Sequence, residues 1–412
     1  MRTSYHHIYR RPYRGGITSP LLLLGGSMIF LKLFDGLLGF YVPILITSAG
    51  ISKTTMGGII GFSSITGALF DFYLSVVIKS THYRRFFLAM YVVASLYAVI
   101  LMIGGIVPFF LLAMGLWGIY FDLMTFANHD YIARTIPKER NTIAYSVLDA
   151  TKSLGYAIAP PLSAFLIFTY GGVSIFYAAG MAIAFSACFY IAMRVRNRSI
   201  PSQFTEPKLV HKSPLHEIVL WKLTAKRMSL PLIYIFLLYM TESFFWVIGP
   251  LLSEDLIKQN SLGAFVLTAF FIPPIIMDWI APFLTVRFGK KRTAFLSLFI
   301  ASIGLLSFFF IHSAYVILLT VLLLSSSMTL GYPAIGSAIN DYIRENPSKE
   351  HEIVGVSDFV TNLAYVMGPI SAGFLADHVG NKATFGVWGI VACIVLVFLI
   401  PHARQDIKLR PH

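Results

Sequence analysis

The chain has 412 residues, 57% hydrophobic and only 12% charged, with a formal net charge of +13. So little charge on so apolar a chain excludes a water-soluble globular domain. The positive excess does not point to nucleic acid, because it lies in the segments between long apolar runs, where it marks sidedness in a membrane.

Twelve apolar runs have about the length needed to cross a bilayer core, at about 20–47, 56–78, 86–106, 108–132, 143–169, 173–193, 229–252, 262–286, 293–311, 314–338, 353–375 and 383–400. The first is too long for a removable leader and lacks a small-residue cleavage site. It contains FDGLLGFYVPIL, with Asp35 eight residues before Pro43 and Lys32 three residues before Asp35 on the same helical face. In the second run Asp71 shares a small, polar stripe with Ser64, Gly67, Ala68 and Ser75, suited to another helix or to water rather than lipid. The fourth carries Asp122 beside Tyr120 and Phe121, and ends near Asp130. The fifth reads DATKSLGYAIAPPLSAFL from Asp149, which can pair with Lys152 one turn on.

One long segment, about 194–228, divides the runs six and six. Its SPLHEIVLWKLTAKRM stretch reads either as a tether or as a basic amphipathic helix on the membrane surface. The seventh run holds MTESFFWVIGPLL, where Glu242 shares a face with Tyr239, Phe245, Trp246 and Gly249. In the eighth, Asp278 follows Pro273 and Pro274, which should kink the helix. The tenth places Ser325, Thr329, Tyr332 and Gly336 at helical spacing, as a hydrated path or a packing face.

The halves repeat. Asp35 and Pro43 match Glu242 and Pro250 at an offset of 207, as Asp71 matches Asp278. At an offset of 209, DATKSLGYAIAPPLSAFL aligns with DFVTNLAYVMGPISAGFL from Asp358, keeping Asp, Leu, Tyr, Pro, Phe and Leu. The tripeptide DYI precedes both, at Asp130 and Asp341. Similar offsets with the same orientation describe two parallel six-helix bundles, residues 1–193 and 229–412, joined by a linker at 194–228. With both termini placed in the cytoplasm, the 32 Lys and Arg fall on the cytoplasmic side, except Lys53, Lys258 and Lys382 outside and Lys32 and Lys152 within spans. Cys188 and Cys393 both fall inside spans, so neither a disulfide framework nor a metal cluster is expected. No nucleotide-binding glycine loop and no nucleophilic triad is visible, so no cofactor, no metal and no enzymatic activity is expected.

These features resemble the major facilitator superfamily of secondary transporters, over nearly the whole chain. The family's basic loop between second and third spans survives here only as Arg84 and Arg85 in KSTHYRRF. Its second-half copy, VRFGKKR, keeps Arg287, Gly289, Lys290, Lys291 and Arg292, with Val286 where the family has Asp. The fifth span is similar to the family's antiporter motif, keeping Gly155 and Pro160 and placing the small residues Ser146, Ala159, Ser163 and Ala164 where the motif has glycine. The eleventh repeats it with Ala364, Gly368, Pro369, Ala372 and Gly373. The resemblance implies an all-α fold of twelve transmembrane helices in two pseudo-symmetric bundles, working as a monomer by alternating access. Gly155, Pro160, Gly368 and Pro369 are then the gating or hinge positions.

Charge at the bilayer centre costs about 2.5–3.5 kcal/mol on insertion scales, so carboxyls there call for a function. Asp35, Glu242, Asp71, Asp122 and Asp278 are the proton-coupling candidates. Lys32, Asp35, Tyr239, Glu242, Phe245 and Trp246 are the substrate-binding candidates, because aromatic rings beside a carboxylate suit an organic cation. The expected activity is proton-coupled efflux of a small cationic or lipophilic compound across a plasma or inner membrane. Two alternatives stand beside it. An uptake symporter or facilitator for a sugar, metabolite or organic acid would want more amides or a buried Arg. A non-transporting receptor or assembly partner would have no need of midplane acids.

Overall fold

The computed structural model describes residues 19–77, 83–136, 140–196 and 214–399. Among them there are helices and no strands. Eleven helices are long and apolar enough to cross a membrane, and a shorter apolar segment, Ser261–Met277, stands at the eighth position. In chain order the helices are α1 (Ser19–Ser48), α2 (Lys53–Val77), α3 (Tyr83–Ile103), α4 (Val107–Thr135), α5 (Asn141–Tyr170), α6 (Val173–Arg196), α7 (Pro214–Arg227), α8 (Ser229–Ile257), α9 (Val266–Phe271), α10 (Pro273–Phe288), α11 (Lys290–Leu306), α12 (Ala314–Glu345), α13 (Glu350–Val379) and α14 (Asn381–Leu399). Fourteen helices therefore make twelve crossings: α9 and α10 share the eighth, and α7 lies in the linker.

The eighth crossing breaks where its prolines predict. α9 ends at Phe271, and α10 restarts with Pro273 and Pro274 in its first turn. Proline lacks an N–H, so it fits the first turn of a helix and interrupts the preceding one. The linker stretch predicted as tether or surface helix forms α7. Its Trp221 ring lies 6.3 Å from that of Phe359, which seats α7 on the start of α13.

The outer surface is apolar, with Phe283, Val286, Phe310 and Phe398 among its most exposed side chains. In water such a surface would aggregate; in lipid it is at home. Ser19 and Leu399 emerge at one end of the bundle, here called the near face, and the turn after Ser48 lies at the opposite, far face. The halves use the same packing: α1 against α5 and α6, α2 against α4, α3 against α4, and correspondingly α8 against α13 and α14, α10 against α12, α11 against α12. They meet along α1–α8, α2–α13 and α5–α9.

Small residues set the closest approaches. A side chain at Gly155 would come within 2.6 Å of the Ile29 carbonyl and 2.9 Å of Lys32 Cβ. The small residue read as a hinge position thus lets α5 lie directly on α1. Gly368 sits as tightly against Ser243 and Met240 of α8. Pro160 and Pro369 lie inside α5 and α13.

Candidate functional site

A cavity of about 330 Å³ lies between the halves, lined from α2, α4, α5, α8 and α13. Its walls are the rings of Trp117, Phe121, Tyr156, Trp246 and Tyr365. Among the described residues three carboxyl groups reach it, Asp71, Asp122 and Glu242, and no basic side chain does. Toward the far face α2 and α13 are in contact: a side chain at Gly61 would meet the Val366 carbonyl at 2.9 Å. Further along the same helices Ser64, Gly67, Ala68, Thr361 and Asn362 face the cavity.

Glu242 sits in the cavity wall on α8. The Trp246 indole N–H one turn on donates to Oε1 at 3.4 Å. The Tyr332 hydroxyl, from α12, donates to Oε2, and Tyr365 adds a side-chain bond from α13. All three partners are neutral. Tyr239 stands behind this cluster, its ring 5.6 Å from Tyr332 and 5.4 Å from Tyr365.

Asp35 is sealed behind the wall, 2% exposed, together with Lys32 at 1%. The Lys32 ammonium lies 2.9 Å from Asp35 Oδ2. The Tyr156 hydroxyl donates to the same oxygen at 2.5 Å, and the Trp117 indole N–H to Oδ1 at 2.6 Å. Lys32 also donates to the Tyr156 hydroxyl at 2.9 Å and lies 4.5 Å from the Phe121 ring centre. Both carboxylate oxygens and the ammonium are thus satisfied, the condition under which a buried ion pair is tolerable. The two acids do not meet directly. Tyr156 and Trp246, with ring centres 5.0 Å apart, stand between their clusters.

Asp71 and Asp122 line the cavity from α2 and α4. Asp71 Oδ1 and Asp122 Oδ2 are shielded from solvent and have no hydrogen-bond partner among the described residues. An orphaned buried oxygen is costly, and a proton or a cation on either group would relieve that cost. The side chains of Asp278 and Ser75 fall outside the described residues.

Phe245, a candidate wall residue by sequence, is fully buried instead, its ring 4.2 Å from Phe270 and 4.7 Å from Phe385. The reason is rotational. The cavity stripe of α8 runs through Glu242, Ser243, Trp246 and Val247, which at about 100° per residue leaves Phe245 on the flank inside its own bundle. Ser325 and Thr329, read as a possible path, are buried and bond to the carbonyls of Phe270 and Ser325. Their companion Tyr332 reaches Glu242.

Three site residues were not singled out from sequence. Tyr156 and Tyr365 were visible as the matched tyrosine of the repeat, one on each buried acid, but not as its ligands. Trp117 carried no local signal, since its partner is 82 residues away.

The basic loop residues lie at the near face. Lys290 bonds both oxygens of Asp341 at 2.7 Å. Lys291 lies 5.2 Å from the Tyr342 ring centre. Gly289 has φ 85° and turns the chain between α10 and α11, a conformation suited to glycine. In the first half Asp130 accepts instead from the Tyr83 backbone N–H at 2.5 Å and from Arg134 at 2.6 Å. Arg84 stacks near the Tyr83 ring at 5.7 Å, while Arg85 and Arg292 are exposed. Lys152 pairs with Asp149 at 3.1 Å. Among the described residues no cluster suited to a metal ion is present.

The model of the Major Facilitator Superfamily matches residues 24–238 and 231–411. No curated protein matches the sequence. Among solved structures, the nucleoside transporter NupG is similar with a TM-score of 0.74 and 12% identity, over 94% of this chain and 100% of that one. The peptide transporter POT in complex with sulfate is similar with a TM-score of 0.74 and 11% identity, over 96% of this chain and 97% of that one. At such identities the likeness is one of fold.

Proposed function

The chain belongs to the Major Facilitator Superfamily and is a secondary transporter, and from that premise we propose that it exports a small organic cation or lipophilic amine in exchange for protons. The observation that carries this reading is the cavity lining: among the described residues, aromatic rings and three carboxyl groups with no basic side chain. A cation entering this space gains ring-face attraction and a carboxylate partner, whereas an anion would find neither. The nucleosides and peptides of the structural neighbours are not carried over, because only the fold is shared.

In this mechanism Glu242 is the cation site. Its three neutral donors hold the carboxylate in place without cancelling its charge, so the substrate supplies the missing counter-ion. Protonation of Glu242 removes that attraction and releases the substrate; proton and substrate compete for one group. Asp71 and Asp122, lying toward the near face with unpartnered oxygens, hand protons between Glu242 and the near-side solution. The positive-inside distribution makes the near face cytoplasmic, and the protein acts as a monomer in the plasma or inner membrane. Asp35 is part of the scaffold, since Lys32 already neutralises it.

The test is thermal stabilisation of the detergent-purified protein by a panel of lipophilic cations at pH 6 and pH 8. A ligand that binds the folded state raises Tm by mass action. Stabilisation larger at pH 8 than at pH 6, and lost in Glu242→Gln, is the expected result. If Glu242→Gln keeps the full pH-dependent stabilisation, or if only sugars or organic anions bind, the reading falls.

A further inference from the structure

The start of α2 is capped from the other half of the protein. A helix leaves its first N–H groups without intrahelical acceptors. At α2 the work is divided. Ser52, just before the helix, accepts from the Thr55 N–H at 3.2 Å, an ordinary cap within the same segment. The N–H groups of Lys53 and Thr54 instead donate to Asp377 of α13, at 3.1 Å to Oδ1 and 2.8 Å to Oδ2, across more than 300 positions of sequence. The Thr54 hydroxyl adds a 2.6 Å bond to Oδ2. The Lys53 ammonium reaches Asn381 Oδ1 at 2.7 Å, and Asn381 in turn donates to Asp255 at 2.7 Å. A carboxylate at a helix N-terminus is favoured by the helix dipole as well as by its hydrogen bonds. Beneath it α2 and α13 touch closely enough that a side chain at Gly61 could not fit.

Among the described residues, the pseudo-symmetric seam lacks this device. At the 209-residue offset Asp377 corresponds to Phe168, which is exposed. Asn260, the counterpart of Lys53, accepts from the Leu262 N–H at 2.9 Å within its own segment. The α5–α9 seam is bridged by a hydrogen bond from the Thr268 hydroxyl to the Ala157 carbonyl at 2.8 Å. Among the described residues of the two far-side seams, only α2–α13 is closed by a charged group bonded to a helix end.

We propose that Asp377 is the positioning residue that holds the far face shut. Opening the far face separates α2 from α13, so the two N–H groups exchange Asp377 for water, and the inter-half cap is lost. The exchange is reversible because Asp377 is itself exposed. The proposal rests on alternating access by this chain and not on the identity of its substrate or coupling ion.

The experiment is electron–electron distance measurement between spin labels at Ser48 and Lys258, exposed far-face positions in opposite halves, with Cys188 and Cys393 replaced by Ser. It is done in nanodiscs without added substrate. Removing a cap shifts an equilibrium by about five-fold. Asp377→Ala should raise the ratio of far-open to far-closed distances by about that factor. Asp377→Asn, which keeps one acceptor, should shift it less, and Asp377→Glu should restore it. Once a transported compound is known, the same variants should change turnover with little change in KM. Unchanged distance distributions in folded Asp377→Ala or Asp377→Asn overturn the proposal, as does an equal shift in Asp377→Glu. Failure of cation binding leaves these distances unaffected, so the substrate reading and the gate proposal fall separately.

Discussion

The two halves bury the same carboxyl position in opposite ways. In the first, Asp35 is held by Lys32, Tyr156 and Trp117. In the second, Glu242 is held by Tyr332, Tyr365 and Trp246. The repeat makes the comparison position by position: Tyr365 stands where Tyr156 does, and Tyr239 stands where Lys32 does. One substitution, a tyrosine for a lysine, separates a buried ion pair from a carboxyl group that has no counter-ion among the described residues. Duplication supplied two equivalent acids, and the loss or gain of one cation gave them different surroundings.

The comparison breaks most severely at Lys32. Lys32→Met leaves Asp35 buried and uncompensated, and removing one partner of such a pair costs about 3–5 kcal/mol. Thermal or denaturant unfolding in detergent should register that loss. The double variant Lys32→Met with Asp35→Leu should recover most of it, because an apolar pair of similar volume can replace a buried ion pair. A double variant as unstable as the single one would mean that Lys32 acts by packing alone.

A smaller effect is expected from copying the first half into the second. Tyr239→Lys gives Glu242 an internal partner one helical turn away. Cation-induced stabilisation should fall by roughly ten-fold or more in apparent affinity, as an effect of about 1.4 kcal/mol or above would produce. Stability should change less than in Lys32→Met. Unaltered cation binding in this variant would mean that the missing counter-ion is not what makes Glu242 a site.

The smallest change sharpens the ring contribution. Trp246→Leu removes one aromatic wall and one donor to Glu242 but keeps the carboxylate. Its cost in cation affinity is about 0.5–2 kcal/mol, the range of a cation–π contact. The loss should be greater for a quaternary ammonium ion than for an uncharged compound of the same shape, measured by the same Tm shifts. Equal losses for both would assign Trp246 to shape alone.

Much of this was legible in the sequence, and the illegible parts share a cause. Hydropathy and length gave the crossings, and Pro273 and Pro274 gave the break in the eighth. The repeat offsets found Asp35 and Glu242 together, and the spacing of Lys32 and Asp35 found their ion pair. Phe245 was assigned to the wall because helical periodicity fixes a face only to within a broad arc. Whether an aromatic on the edge of that arc meets the cavity or its own bundle depends on how α8 is rotated against α9 and α14. Trp117 was missed because nothing near it in the chain announces a bond to Asp35.

The sequence alone determined that this is a membrane protein of two repeated six-helix halves with carboxyl groups at matched depths, because lipid imposes length, apolarity and a cost on charge that any single helix must obey. Tertiary structure decided which of those charges is neutralised, which rings surround the one that is not, and that α2 borrows its cap from α13. Those outcomes depend on contacts between helices far apart in the chain, whose rotation and register only the packed bundle sets.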